Sequence, residues 1–286
     1  MNTKRIIGML LLAGVLCTTM NAQQTVDIDL WEQGLPNSNG IDMTQPFDDA
    51  RQNFKPSIRV YLPERDRANG RCVVCLPGGG YSHLAMEHEG YQWAPFFNER
   101  GYAFVVLKYR MPHGVPDVPV SDAQEALRLV RSHAAEWGID ADKVGIMGSS
   151  AGGHLASTIA THSDMLTAPA FQILFYPVIT FDYAYTHKGS RHGLIGENAA
   201  EEMVKLYSNE LQVTSQTPPA IMLLSDDDTA VPPQNSINYY LALKHHGIPA
   251  SLHVYPSGGH GWGCRTNFRY HTQMLADLSA WLEQLK

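Results

Sequence analysis

Cysteine is scarce in this chain, four in 286 residues, far below the density of a small secreted domain stapled by disulfides. Cys17 falls in an N-terminal leader-like segment, which leaves Cys72, Cys75 and Cys264. The spacing of Cys72 and Cys75 matches a redox pair, yet both lie in the β-like run Cys72-Val73-Val74-Cys75 rather than at a helix start. In a strand, residues i and i+3 point to opposite faces about 10 Å apart, beyond disulfide reach. A thiol oxidoreductase is therefore disfavoured, and both thiols are expected as small buried hydrophobes. Basic clusters are missing too: net charge is −7 and no basic run exceeds Lys4-Arg5. Nucleic acid, which is bound by clustered Lys and Arg, is not an expected partner. Long apolar runs are also wanting at the N-terminus. The stretch Ile6 to Leu16 is roughly half the ~20 residues a spanning helix needs, so no stable membrane insertion is expected.

What is present suits one large globular α/β domain, with 44% hydrophobic and 17% charged residues. Lys4 and Arg5, the apolar core Ile6 to Leu16 and a polar stretch up to Ala22-Gln23 have the layout of a secretory signal. Residues 1–22 are expected to be removed after Ala22, with export to the periplasm or beyond, and residues 23–286 to form the working domain.

After a polar stretch with turn punctuation (Gly34, Pro36, Asn37 to Gly40), apolar runs read as strands at 57–63, 71–76, 103–107, 143–149, 170–176, 220–224 and 250–255. Helical spacing recurs between them, at 90–100, from a capping Ser121 to Gly138, from His154 to His162, from Pro232-Pro233 to about His246, and from Met274 to Leu285. Such alternation predicts a mostly parallel sheet with right-handed crossovers and helices on both faces. Residues 180–217 break the pattern and are read as a small insertion over the site.

Four loops with chemical capacity each follow a strand, on the edge where such sheets bind ligands. Gly148-Ser149-Ser150-Ala151-Gly152 reads G-x-S-x-G between a strand and a helix, where glycines permit the sharp turn that projects Ser150. A serine hydroxyl needs an adjacent base, and glycine-flanked His260 follows the last strand. The imidazole needs a carboxylate to orient it. Asp228 precedes it, in competition with Asp226 and Asp227. Negative charge developing on a carbonyl oxygen would be held by amides of Ala151 and of the 78–80 glycines. His154, on the elbow helix, is read as a packing residue, and Glu87-His88-Glu89 lacks zinc-helix spacing. Tyr81, Trp262 and Trp31 are candidate faces for a sugar.

These motifs resemble the α/β-hydrolase superfamily of esterases and lipases, and most closely its exported bacterial carbohydrate (acetyl xylan and feruloyl) esterases. The resemblance rests on Pro77-Gly78-Gly79-Gly80-Tyr81, standing where lipases carry H-G-G-G, the G-x-S-A-G-G elbow, Asp228-Thr229-Ala230-Val231-Pro232, and Gly259-His260-Gly261. It covers nearly all the chain after the leader. It implies an α/β-hydrolase fold with a catalytic Ser150, Asp228 and His260, and an oxyanion hole from Gly79, Gly80 and Ala151. It also implies a serine carboxylesterase acting on an acylated carbohydrate such as acetylated xylan, with Tyr81 and Trp262 as substrate contacts and no metal or other cofactor. Rival expectations are a feruloyl esterase, a serine peptidase of the same fold, and a non-catalytic carbohydrate-binding protein on a hydrolase fold.

Overall fold

A computed structural model describes residues 25–162, 164 and 166–285. The expected leader, residues 1–22, lies outside them. Eight strands form one sheet: β1 (Thr25–Asp29), β2 (Ser57–Tyr61), β3 (Cys72–Leu76), β4 (Ala103–Lys108), β5 (Val144–Ser149), β6 (Gln172–Phe175), β7 (Ala220–Ser225) and β8 (Ala250–Tyr255). Their spatial order is β1-β2-β4-β3-β5-β6-β7-β8. Only the β1–β2 and β2–β4 pairings are antiparallel; from β4 to β8 every pairing is parallel.

Parallel strands are covered on both faces, and the apolar runs divide accordingly. Cys72, Val74, Leu76 and Ile146 face one core, with Ala123, Ala126, Leu127 and Val130 of α2 (Asp117–Ser132) and Leu155 and Ile159 of α4 (Ser150–His162); α1 (Ala94–Asn98) covers the opposite face. There Val73, Cys75, Phe104 and Met147 meet Phe96 and Phe97 of α1. The remaining helices are α3 (Ala134–Trp137), α5 (Lys188–Ile195), α6 (Glu201–Leu206), α7 (Gln234–His245) and α8 (His271–Leu282), the last packing Met274, Leu278 and Trp281 onto the second core. Cys72 and Cys75 thus sit on opposite faces as free, buried thiols. Burial pushes both thiols well above the ordinary cysteine range.

Two expectations fail for local reasons. Thr25–Asp29, not read as a strand, forms the edge strand β1, where Arg59 grips Asp27 in bidentate fashion (2.7 and 2.9 Å). Its alternation of apolar and acidic residues is too short to stand out from a loop. Ser121 does not cap its helix: α2 begins at Asp117, and the Ser121 hydroxyl donates to the Val118 carbonyl (2.9 Å). Pro119 is tolerated in that first turn because amides there have no intrahelical acceptor to lose.

The polar stretch after β1 is pinned by a buried arginine. Arg110, 1% exposed, donates to Asp122 through Nη2 (2.7 Å) and to Asp42 through Nη1 (3.0 Å), while the Trp31 indole also donates to Asp122 (2.8 Å). A buried pair costs most when one partner is removed. Asp122→Ala is expected to lower folding stability by about 3–5 kcal/mol, read from urea unfolding midpoints; a loss below about 1 kcal/mol would show that Asp42 alone neutralises Arg110.

Candidate active site

β5 ends at Ser149 and α4 starts at the next residue, so the chain reverses at Ser150 with φ of 53°. A side chain in the left-handed region costs on the order of 1–3 kcal/mol and persists only where its surroundings enforce it. They do so here by close approach. A Cβ on Gly148 would lie 2.1 Å from the Gly152 carbonyl oxygen, and one on Gly152 would lie 2.0 Å from the Leu76 carbonyl oxygen. Only glycine lets the start of α4 press on both its own strand and the end of β3.

Ser150 Oγ lies 2.8 Å from His260 Nε2, and His260 Nδ1 lies 2.7 Å from Asp228 Oδ2. The carboxylate can only accept, which assigns the proton to Nδ1 and leaves Nε2 to accept from the serine hydroxyl. The second oxygen of Asp228, Oδ1, accepts the amides of Ala230 (3.0 Å) and Val231 (2.9 Å). Its neighbours are used otherwise: Asp227 accepts the Gly259 amide (2.8 Å), steadying the histidine loop, and Asp226 is exposed. The three side chains named from sequence therefore form one hydrogen-bonded chain.

Beside them runs the glycine loop, with φ of 136° at Gly79 and 66° at Gly80. Its anchor was not foreseen. Glu89, 3% exposed, accepts the Gly78 amide through Oε2 (2.8 Å) and the Tyr176 hydroxyl through Oε1 (2.8 Å). Tyr176 Oη in turn accepts the Gly263 amide (2.7 Å), and its ring meets that of His260 at 4.8 Å between centroids. Tyr109 donates to the Pro77 carbonyl (2.7 Å). A cavity of about 310 Å³ opens here, lined among others by Gly79, Gly80, Ser150, His187 and His260.

A family model, BD-FAE, matches residues 58–243. The chain belongs to the BD-FAE family. The "Acetylxylan esterase" of Xylanibacter ruminicola is 44% identical over 235 residues, which cover 81% of this chain and 48% of that protein. The chain thus spans about half the length of that relative. The crystal structure of an acetyl ester-xyloside bifunctional hydrolase from Caldicellulosiruptor lactoaceticus superposes with a TM-score of 0.78 at 35% identity, covering 90% of this chain and 95% of that one. An alpha/beta hydrolase enzyme from a Medee basin deep-sea metagenome library gives 0.66 at 25% identity, covering 80% and 92%. The α/β-hydrolase fold expected from the sequence is the fold observed.

Within this BD-FAE domain two of the three expected aromatic sugar faces, Tyr81 and Trp262, are buried instead, while Trp31 is half-buried and turns its indole N–H to Asp122. Tyr81, 2% exposed, bonds His154 Nδ1 through its hydroxyl (2.9 Å). Trp262, 4% exposed, donates to Ser225 Oγ (3.0 Å) and stacks on Phe268 at 4.1 Å. Both rings gain more from the core than a polar rim offers, so neither presents a face to substrate. His154 packs as expected, its Nε2 2.8 Å from the Tyr207 carbonyl oxygen and its ring stacked on Phe181 at 4.3 Å. The carbonyl only accepts, so Nε2 carries the proton and Nδ1 accepts from Tyr81.

Glu89→Ala would leave the Gly78 amide and the Tyr176 hydroxyl without their acceptor, at about 1–3 kcal/mol for each orphaned group; unchanged urea unfolding would refute the anchoring role. His154 adds a pH dependence. Burial pushes its pKa down from 6.5 to about 4, so between those values the unfolded chain binds this proton and the folded chain does not. Its contribution is full above about pH 6.5 and drains away as the pH falls toward 4, on the order of 3 kcal/mol altogether. In His154→Gln, stability measured between pH 4 and 7 is expected to fall less steeply than in the wild type.

Proposed function

We propose that this BD-FAE protein is a serine carboxylesterase that removes acetyl groups from a plant cell-wall polysaccharide such as xylan. Ser150 attacks the ester carbonyl while His260 takes its proton and Asp228 holds the imidazole and stabilises the imidazolium. The oxyanion is received by the amides of Gly79, Gly80 and Ala151, each donor contributing about 3–4 kcal/mol at the transition state. Protonated His260 then passes its proton to the departing sugar oxygen, leaving an acetyl-enzyme. Water, deprotonated by His260, attacks that ester, and His260 returns the proton to Ser150 Oγ as the bond to the acyl carbon breaks and acetate leaves. Every step uses side chains and amides of this chain.

The observation that carries the reading is the unbroken Asp228–His260–Ser150 hydrogen-bond chain, 2.7 and 2.8 Å, opening into the cavity beside Gly79 and Gly80. The acetyl group and the xylan are supported by the Xylanibacter and Caldicellulosiruptor relatives. Residues 180–217 act as a cap on the site, a role supported by His187 among the residues lining the cavity. Residues 1–22 act as an export signal, which lets the enzyme meet a polymer outside the cell.

Ser150→Ala is expected to lower kcat/KM for p-nitrophenyl acetate at least about 10,000-fold and to abolish labelling by a fluorophosphonate. Activity near wild type would sink the nucleophile assignment. Acetate release from acetylated xylan should exceed ferulate release from feruloylated arabinoxylan; the reverse order would favour a feruloyl esterase.

A further inference from the structure

His187 is the one residue of the 180–217 segment that lines the cavity beside Ser150. It caps α5: its Nδ1 accepts the Ser190 amide (3.1 Å) and lies 2.8 Å from the Ser190 hydroxyl. A ring nitrogen that accepts a backbone N–H carries no proton, so the neutral ring holds its proton on Nε2. That N–H has no hydrogen-bond acceptor among the described residues. The ring also rests on the oxyanion loop, since a Cβ on Gly80 would lie 3.5 Å from His187 Cε1.

Its surroundings also set its charge. Burial lowers the pKa of His187, the nearby His260 ring lowers it further, and Asp228 opposes them. The net effect keeps the imidazole neutral and preserves Nε2–H as a donor. His187 lines the same cavity as His260 and Gly261 of the base's loop. The oxygen leaving the ester must lie beside His260 Nε2 to receive its proton. The alcohol half of the substrate therefore sits in the cavity that His187 and His260 both line.

We infer that His187 is a specificity-determining residue that donates its Nε2–H to a hydroxyl or ring oxygen of the sugar carrying the acetyl group. The inference rests on the carbohydrate-esterase reading and adds to it the residue that distinguishes a sugar from another alcohol. A donor held in place by its own helix cap needs no reordering when substrate arrives, which is the economical way to gain selectivity. p-Nitrophenol offers no such oxygen next to the ester, so the two leaving groups should respond differently to loss of the donor.

Two substitutions separate the donor from the cap. His187→Asn retains an acceptor for the Ser190 amide, asparagine being among the best N-caps, but stops short of the Nε2 position. His187→Gln carries an amide N–H to about where Nε2 stood. For His187→Asn, kcat/KM on an acetylated xylo-oligosaccharide is expected to fall about tenfold further than on p-nitrophenyl acetate, with most of the excess in KM, and His187→Gln should recover part of it. The melting temperature of His187→Asn should stay near wild type, which excludes a merely structural cause. Equal losses on both substrates, no loss on either, or no recovery with His187→Gln overturns the inference alone. Wild-type enzyme that hydrolyses p-nitrophenyl acetate yet leaves the oligosaccharide acetylated overturns the carbohydrate reading with it.

Discussion

The approach of the elbow helix to the end of β3 is the constraint on which the remainder of the site depends. Carbonyl oxygens of Leu76 and Pro77 stand 2.0 and 2.5 Å from where a Cβ on Gly152 would be, so a side chain at that position would force α4 away from the sheet. Because β3 and β5 are neighbours in the sheet, this contact fixes the glycine loop beside Ser150. It also shows how a serine is kept at a φ of 53°: the strand before it and the helix after it leave no room to relax.

A second layer of order comes from buried polar groups acting across long sequence separations. Glu89 joins Gly78 to Tyr176, and Tyr176 joins Gly263, so loops following three different strands share one network. In a low-dielectric interior such bonds strengthen one another, and an unpaired member is costly, which narrows the arrangements the loops can adopt. His154 does similar work for residues 180–217. It bonds Tyr81 on one side and the Tyr207 carbonyl on the other, while Asn209 Nδ2 donates to the His154 carbonyl (3.1 Å). The segment carrying His187 is therefore docked onto the elbow helix rather than left as a free flap.

Much of this was readable beforehand because it is local. The strands from β3 to β7 are largely apolar, buried runs, and such runs keep their meaning without knowledge of their neighbours. The elbow, Gly259-His260-Gly261 and Asp228-Thr229-Ala230-Val231-Pro232 are likewise compact signatures, each legible within a few consecutive residues. β1 and the start of α2 were missed where the local signal was weak, five residues of alternating character in one case and a proline-led first turn in the other. Tyr81 and Trp262 were misjudged because aromatic identity alone does not say which way a ring turns.

The sequence by itself determined the alternation of strands and helices and the presence of an elbow, since these are read from periodicity and from a motif a few residues long. Only the tertiary structure decided that Asp228 rather than Asp226 or Asp227 faces His260, that Glu89 anchors the glycine loop and that His187 reaches the cavity. These are matters of direction and contact between segments from 11 to 87 residues apart. No local propensity encodes them; they arise when helices and sheet close on a shared core.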